Sequence, residues 1–291
     1  MARGVNKIRE LANVGSHLFP VRTLNTEHRI LLVTYHFILL LLNLNVKLRH
    51  SVSLFVIYSF TVMSCTLFID ADDTLWENFA YFEAARERFL AWMEQGGYAR
   101  NEVDVVLNRI DSERTHEIGF GSMGYREAMR RTMLFFYEKT GREKTARDTV
   151  LLDEIQRSVH LHPVELYPGV AETLAYLREK YPLFLVTKGV EDEQSGKVER
   201  ANVAGYFKDV FVIPDKTPAQ YRELMSILAI SPCDAWMIGN SPRSDINPPA
   251  EIGMGTVLVK KERAWDFEEV PLKHNGRFHE ITDFRQLKEI F

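Results

Sequence analysis

Short hydrophobic runs recur along the chain after residue 65, and polar or acidic residues follow each of them. Runs of this length are typical of buried strands, and the helical spacing between the later runs indicates alternating strands and helices. Repeated strand-helix units build a parallel sheet with right-handed crossovers. The sequence therefore predicts an α/β fold with a doubly wound, Rossmann-like parallel sheet. Its strands are expected at 66–69 (TLFI), 183–186 (LFLV), 210–213 (VFVI), 235–238 (AWMI) and 256–259 (TVLV).

The segment between the first two strands has the periodicity of helices instead of strands. Four amphipathic stripes follow one another there, with glycine-containing breaks between some of them. We expect residues 80–165 to form a small helical cap. This cap would be inserted into an α/β core made of residues 63–79 and 166–291.

Two short motifs within the helical segment resemble binding sites, but each favours a structural role. The glycines between residues 119 and 124 follow no predicted strand and are accompanied by no lysine, so they indicate a flexible connection and not a phosphate loop. His160 and His162 could be part of a metal site, but no third ligand stands near them in the sequence. We expect them to lie in an exposed hinge beside Pro163.

Residues 1–62 precede the first predicted strand and differ from the rest of the chain. Residues 30–46 and 51–63 are apolar, but a membrane span needs about 20 apolar residues in a row, and polar or basic residues interrupt these runs. A cleaved signal peptide also fits poorly, because a long stretch of mixed charge comes first. Three interpretations stay open: an over-extended start that is not native, a membrane-tethering segment, or a folded extension. We expect poor order here, and membrane contact only through residues 30–63.

The composition is that of a soluble globular protein, with 46% hydrophobic and 26% charged residues in a chain of 291. The net charge is −4, but residues 1–62 hold seven Lys and Arg against two Glu, so the remainder carries about −9. An acidic body gives no reason to expect nucleic acid as a partner. Cys65 and Cys233 are too few for a disulfide framework. We therefore expect a cytoplasmic protein, with membrane tethering through the N-terminal segment as the alternative.

Polar and charged side chains stand at or just beyond the ends of four predicted strands. The set is Asp70, Asp72, Thr187, Lys188, Lys216, Asn240 and Asp245. Lys216 also precedes a predicted helix that opens with a capping box, Thr217-Pro218-Ala219-Gln220. Because the carboxyl ends of parallel strands share one edge of a sheet, where ligands bind, we expect these groups to lie together. Oxygen ligands beside an ammonium suit a phosphate group on Mg²⁺.

This set of residues predicts the chemistry of phosphate ester cleavage. A phosphate monoester is doubly negative, so a carboxylate can attack it only after Mg²⁺ and an ammonium neutralise the charge. We assign Asp70 as the nucleophile that forms an aspartyl-phosphate, and Asp72 as the group that protonates the leaving oxygen and then activates water. Both can reach the phosphorus only if the backbone bends directly after the strand. Phosphate is expected to bind Thr187, Lys188 and Lys216, and the metal to bind Asp70, Asp72, Asn240 and Asp245.

The chain resembles the haloacid dehalogenase (HAD) superfamily, in its branch with a helical cap inserted after the first motif. The matching motifs are Asp70-Ala71-Asp72-Asp73-Thr74, Leu185-Val186-Thr187, Lys216, and Gly239-Asn240 through Asp245. The resemblance implies an aspartyl-phosphate mechanism with Mg²⁺, a cap that opens and closes over the site, and a small phosphorylated metabolite as substrate. Asp72 argues against the dehalogenases of the superfamily, which lack an acid two residues after the nucleophile.

Two residues depart from the pattern of this superfamily. Asp73 stands where glycine is common, and its charge is expected to tune the pKa of Asp72 by like-charge repulsion. Asn240 stands where aspartate is usual, which predicts weaker Mg²⁺ binding. The leading hypothesis is a phosphatase of small phosphate monoesters. A phosphoryl-transferring mutase and a non-catalytic HAD-like binding protein are the alternatives. Candidate substrate contacts in the cap are Phe120, Met123, Tyr125 and Arg126.

Overall fold

The centre of the fold is a six-stranded parallel sheet with the strand order β3-β2-β1-β4-β5-β6. The computed structural model describes residues 65–263 and 265–291. This strand order is that of a doubly wound sheet, so the predicted fold class is confirmed. The strands are β1 (Thr66–Ile69), β2 (Leu183–Lys188), β3 (Asp209–Ile213), β4 (Ala235–Gly239), β5 (Gly255–Val259) and β6 (Phe278–Ile281).

Five helices lie between β1 and β2, and we call the first four of them, residues 79–160, the helical insert. Their buried side chains form an apolar cluster that includes Phe89, Met129 and Leu152. A separate cluster of this kind gives the insert a core of its own. Its assignment as a cap domain with boundaries at 80 and 165 stays a prediction. The helices are α1 (Phe79–Gln95), α2 (Arg100–Ile118), α3 (Ser122–Thr140) and α4 (Ala146–His160).

Alternate residues of β1 pack on opposite faces of the sheet. Leu67 and Ile69 belong to the apolar cluster on one face, whereas Phe68 belongs to the cluster on the other. The strand is buried throughout, as expected for a parallel sheet with helices on both faces. The first face packs against α5 (Val170–Arg178) and α6 (Glu191–Ala201), and the second packs against α7 (Pro218–Leu228). The last two helices are α8 (Asn247–Glu251), which follows β4, and α9 (Leu287–Ile290).

Two parts of the fold differ from the expectations. His162 is buried, with 2% of its surface exposed, and stacks on Tyr81 at 4.2 Å between ring centroids. The prediction that both histidines lie in an exposed hinge is therefore wrong for His162, because the first turn of α1 covers its ring. The sheet also contains a sixth strand, β6, which the sequence does not predict. Its four residues, FHEI, do not alternate between apolar and polar side chains, and only Ile281 is buried.

The predicted N-terminal extension, residues 1–62, lies outside the described residues, and so do both apolar runs, 30–46 and 51–63. Among residues 65–263 and 265–291, no helix is long and apolar enough to cross a membrane.

Candidate active site

The backbone turns sharply where β1 ends, as the proposed roles of Asp70 and Asp72 require. Leu75 N–H donates to the Ala71 carbonyl at 2.8 Å, and Asp73 adopts a left-handed conformation with φ of 58°. Residues other than glycine seldom adopt that conformation. This is a physical reason why glycine is common at this position in the superfamily that the chain resembles. The turn places the side chains of Asp70 and Asp72 in different surroundings.

The Asp73 carboxylate serves the start of helix α1. Its Oδ1 accepts hydrogen bonds from the backbone N–H groups of Asn78 and Phe79, at 2.8 Å each. These N–H groups have no partner within the helix, and a negative charge there also suits the helix dipole. The expected repulsion between Asp73 and Asp72 does not set the pKa of Asp72, which is lowered and not raised.

Asp70, Lys216 and Asp245 form a buried ionic cluster at the carboxyl edge of the sheet. The Lys216 ammonium donates to Asp70 Oδ1 and, at 2.7 Å, to Asp245 Oδ1. Lys216 stands just before Thr217, whose hydroxyl accepts from Gln220 N–H in the predicted capping box of α7. Asp245 Oδ2 accepts from Ser241 N–H at 3.0 Å. Three separate strand ends thus bring these charges together.

Burial dominates the electrostatics of this cluster. It raises the pKa of Asp70, and the neighbouring Asp245 carboxylate raises it further, so the opposing charge of Lys216 does not restore the ordinary value. Burial lowers the pKa of Lys216, but the charges of Asp245 and Asp70 outweigh it and the net pKa is raised. Two carboxylates therefore share one ammonium, and the cluster lacks one positive charge.

The Thr74 hydroxyl joins Asp70 to the fourth motif. It lies 2.9 Å from Asp70 Oδ2, to which it donates, and 3.1 Å from Asn240 Oδ1. One hydroxyl hydrogen cannot serve both acceptors fully, so the two oxygens compete for it. The oxygens of Asp70 and Asn240 consequently converge on one point, beside the Asp70–Lys216–Asp245 cluster.

Asp72 is turned towards helix α6. Its Oδ1 accepts from Trp76 Nε1 at 2.8 Å, and its Oδ2 accepts from Gln194 Nε2 at 2.9 Å and Lys197 Nζ at 2.7 Å. Burial raises the pKa of Asp72, but the charge and hydrogen bond of Lys197, with those of Gln194 and Trp76, outweigh it, so the pKa is lowered. The carboxylate form of Asp72 is therefore favoured.

Thr187 and Lys188, at the end of β2, also reach this edge of the sheet. The Thr187 hydroxyl lies 2.9 Å from Gln194 Nε2. The Lys188 ammonium donates to Ser244 Oγ at 2.8 Å and forms an ion pair with Glu268. If Lys188 binds phosphate as predicted, the phosphate has to compete with the Glu268 carboxylate for the Lys188 ammonium.

These residues line one end of a cavity of about 650 Å³ between the sheet edge and the helical insert. Of the four candidate substrate contacts, Phe120 and Tyr125 line this cavity. Met123 is instead 61% exposed, and Arg126 forms an ion pair with Asp153 of α4. The cavity therefore combines an ionic end on the sheet with a mixed aromatic and polar end on the insert.

The donor set fits Mg²⁺. Asp70, Asn240 and Asp245 supply hard oxygen atoms, and the positive charge that the cluster lacks is what a divalent cation would add. Within residues 65–263 and 265–291, no group of three or more His, Cys, Asp and Glu is arranged to hold a metal. Mg²⁺ commonly binds through only one or two carboxylates, and water and substrate phosphate supply the other ligands.

Several residues of the site have no role that the sequence predicts. Thr74, Trp76, Gln194, Lys197 and Glu268 contact the predicted residues directly. One signal in the sequence does point to α6. Its eleven residues, EDEQSGKVERA, include so few apolar side chains that its buried face must be polar.

Comparisons with known proteins agree with this geometry. A family model described as haloacid dehalogenase-like hydrolase matches residues 66–253, more than half of the chain. The chain belongs to the haloacid dehalogenase-like hydrolases. The family predicted from the four motifs is thus confirmed, and the protein is an enzyme of the hydrolase class.

Named relatives of this hydrolase include two phosphatases. A glyceraldehyde 3-phosphate phosphatase of Methanothermobacter thermautotrophicus is 27% identical over 235 residues, which cover 77% of this chain and 98% of the relative. A phosphoserine phosphatase of Thermus thermophilus is 26% identical over 200 residues, 66% of this chain and 77% of the relative. A crystal structure of a haloacid dehalogenase-like hydrolase from Xanthomonas campestris superposes with a TM-score of 0.65 and 28% identity, covering 78% of this chain and 90% of that one.

Proposed function

We propose that this hydrolase is a Mg²⁺-dependent phosphatase that cleaves a small phosphate monoester through an aspartyl-phosphate on Asp70. The buried cluster of Asp70, Lys216 and Asp245 carries this proposal. A carboxylate that is buried beside an ammonium and a second carboxylate is costly for folding, because the charges lose their hydration. Phosphoryl transfer gives such an arrangement a chemical purpose.

Asp70 and Asp72 divide the reaction between them. In the first step an oxygen of Asp70 attacks the phosphorus, the bond from phosphorus to the ester oxygen breaks, and Asp72 gives its proton to the leaving oxygen. In the second step Asp72 takes a proton from water, whose oxygen attacks the phosphorus. This releases inorganic phosphate and restores Asp70. The ion pair between Asp72 and Lys197 favours the carboxylate form that the second step uses, whereas the first step needs the proton that Asp72 took from water at the end of the preceding turnover.

Lys216 and Thr187 are proposed to hold the phosphoryl oxygens, with Lys188 in reach once its bond to Glu268 is exchanged. Mg²⁺ would be held by oxygens of Asp70, Asn240 and Asp245. When bound, it neutralises charge on the phosphoryl group. Asp72 fits the predicted ligand role less well, because both of its side-chain oxygens already accept hydrogen bonds from protein donors.

The substrate is proposed to be a small phosphorylated metabolite, in keeping with the named relatives. Its phosphate would lie at the ionic end of the cavity, and the helical insert, acting as a cap, would contact the rest of the molecule. The described cysteines, Cys65 and Cys233, form no disulfide, which supports the proposed cytoplasmic location.

A phosphate-release assay over a panel of phosphorylated metabolites, with Mg²⁺ or with EDTA, tests this function. We expect release that depends on Mg²⁺ and is abolished by Asp70→Asn, while Asp192→Asn on the exposed face of α6 leaves it unchanged. Unchanged release by Asp70→Asn would overturn the mechanism. Transfer of the phosphoryl group to a sugar instead of water would identify a mutase, and no turnover with any compound would favour the binding protein.

A further inference from the structure

We propose that the leaving group of the substrate is an uncharged sugar or polyol, and that the Tyr125 hydroxyl of the helical insert binds one of its hydroxyl groups. Tyr125 would then be a residue that determines specificity. The inference rests on the proposed phosphatase function and deepens it by naming the chemical class of the leaving group.

Packing inside the helical insert fixes the position of the Tyr125 side chain. Tyr125 lies in the first turn of α3, and its ring packs against Phe82 of α1 with 5.3 Å between the ring centroids. The residue is 8% exposed and belongs to the apolar cluster of the insert. Moving the ring would expose this apolar surface to water, so the fold determines where the hydroxyl lies.

The Tyr125 hydroxyl forms no hydrogen bond with the described residues, although buried tyrosine hydroxyls usually have a partner. Tyr125 lines the cavity of the candidate site. Unlike His162 Nε2, which is sealed in the protein without a partner, the hydroxyl keeps accessible surface. Burial raises the pKa of Tyr125, and the Asp111 carboxylate raises it further, so the hydroxyl keeps its hydrogen. A ligand in the cavity can therefore supply the missing partner.

Asn108 provides a second neutral polar group on the insert side of the cavity. It lies on α2 and lines the cavity, and its side-chain amide forms no hydrogen bond with the described residues. The Asn108 amide and the Tyr125 hydroxyl can each donate and accept. Hydroxyl groups of a ligand do both as well, whereas a carboxylate only accepts and an ammonium only donates. The two groups therefore suit a leaving group that carries hydroxyls.

The charges on the insert side of the cavity are already compensated. Among the described residues, each charged side chain of the insert that lines the cavity pairs with an opposite charge. The pairs are Arg114–Asp111, Arg86–Asp104 and Glu83–Arg263. Arg114 donates two hydrogen bonds to Asp111 Oδ1, at 2.9 Å and 2.6 Å. A carboxylate or an ammonium of the substrate would lose its hydration here without gaining a free partner.

The loop after β5 also lines the cavity and gives no reason to expect a charged leaving group. The Lys261 ammonium lies 3.7 Å above the centre of the Tyr167 ring. Glu262, Asp266 and Glu269 are exposed to solvent and outnumber it. Three carboxylates beside one ammonium repel a carboxylate of the substrate, and solvent and salt screen their attraction for an ammonium.

The cavity has room for a leaving group of several carbon atoms. Its volume is about 650 Å³, and pockets of about 300–1,000 Å³ hold ligands of drug size. The rings of Phe82 and Phe120 line it and offer apolar surface to the C–H groups of a sugar. A sugar phosphate thus matches both ends of the cavity, with its phosphate at the ionic end and its hydroxyls at the insert.

Two pairs of substrates, each alike in carbon number and phosphate position, test the class of the leaving group. Sorbitol 6-phosphate and 6-phosphogluconate differ by a carboxylate, and glucose 6-phosphate and glucosamine 6-phosphate differ by an ammonium. We expect the wild type with Mg²⁺ to show kcat/KM at least about tenfold higher for the neutral member of each pair. Higher kcat/KM for a charged member than for every neutral sugar or polyol phosphate of three to six carbon atoms would overturn the proposal.

Tyr125→Phe tests the hydroxyl, because it removes one oxygen and keeps the packing of the ring. We expect kcat/KM for the preferred sugar phosphate to fall by about tenfold. Propyl phosphate has no hydroxyl to bind, so its kcat/KM should change by less than about twofold. Tyr98→Phe is the matched control, since the Tyr98 hydroxyl lies 2.9 Å from the Thr140 hydroxyl and outside the cavity. It should match the wild type on both substrates.

Wild-type kcat/KM for the sugar phosphate in Tyr125→Phe, or an equal loss on both substrates, would overturn the role of the hydroxyl. Urea unfolding shows whether the variant is folded, and the two substrate pairs decide the class of the leaving group in the wild type even if it is not. The proposed function fails separately, if Asp70→Asn releases phosphate from these substrates as fast as the wild type.

Discussion

The Glu193 carboxylate accepts hydrogen bonds from both the backbone N–H and the hydroxyl of Ser122, with Oε2 at 3.0 Å from each. Glu193 lies on α6 beside the sheet, and Ser122 is the first residue of α3 in the helical insert. The first N–H groups of a helix need partners from outside that helix. Here Glu193, from a helix of the α/β core, provides one, so this pair ties the insert to the core beside the candidate site.

Replacing Glu193 should therefore weaken both the fold and the closed arrangement. We expect Glu193→Ala to lower the free energy of unfolding by about 1–3 kcal/mol, because a buried N–H loses its acceptor. The KM of the substrate should rise as the insert contacts it less. Urea unfolding and steady-state kinetics measure the two effects. Glu199→Ala, at an exposed carboxylate on the same helix, is the matched control, and equal behaviour of the two variants would contradict the role of the pair.

The Thr74 hydroxyl should be needed for turnover. Thr74→Val keeps the shape of this buried side chain and removes the donor to Asp70. A hydrogen bond to a charged group contributes about 1.5–3 kcal/mol, so we expect kcat to fall by at least about tenfold. Thr74→Ser keeps the hydroxyl and should retain most of the activity. Wild-type kcat in Thr74→Val would contradict this role of the hydroxyl.

Restoring the usual aspartate at position 240 should strengthen metal binding. Asn240→Asp adds a negative charge at a side-chain oxygen that lies 3.1 Å from the Thr74 hydroxyl. We expect a lower Mg²⁺ concentration for half-maximal activity, by about tenfold, in a titration of phosphate release. Asn101→Asp, on the exposed surface of α2, should leave the titration unchanged. The same midpoint in Asn240→Asp and the wild type would show that residue 240 is not a ligand.

Buried His162 should make the fold sensitive to acid. Burial lowers the pKa of His162, and the charges of Lys197 and Arg200 lower it further, against Asp72 and the Pro163 carbonyl, which raise it. Nδ1 must carry the hydrogen because it faces that carbonyl at 2.6 Å, and Nε2 has no partner among the described residues. Protonation would therefore place an unpaired N–H in the core.

The sign of the pH dependence follows from this lowered pKa. The unfolded chain takes up the proton first, so the contribution of His162 is complete above pH 6.5 and is lost as the pH falls below it. We expect the wild type to lose stability relative to His162→Phe between pH 7 and 5, by at most about 1.4 kcal/mol per pH unit. Urea unfolding at several pH values measures it, with His274→Gln at an exposed site as the control. Parallel curves for the wild type and His162→Phe would refute this.

The meeting of Asp70, Lys216 and Asp245 could be predicted from the sequence because each follows a strand. In the sheet Ile69 is level with Leu185 of β2 and Ile238 of β4, so the residues beyond them reach the same edge. Strand order and parallel direction were enough to bring these groups together. Their roles in catalysis stay predictions, which the variants above test.

Lys197, Gln194 and Glu268 could not be predicted in the same way. Lys197 and Gln194 lie within a helix, where polar side chains are most often solvated, and only the packing of α6 turns them inward. Glu268 lies in the loop after β5, whose path no short-range pattern determines. The polar face of α6 indicates that the helix borders a polar region, but not which carboxylate it contacts.

Asp70 is proposed to carry the phosphoryl group during turnover. The most direct measurement is mass spectrometry of protein quenched in acid while it turns over a substrate from the panel, followed by digestion and peptide mapping. We predict the added mass of one phosphoryl group on the peptide that contains Asp70, and its loss after treatment with hydroxylamine, which cleaves acyl phosphates. A phosphoryl group on another residue, or turnover with none on Asp70 even when the second step is slowed by Asp72→Asn, would contradict the account.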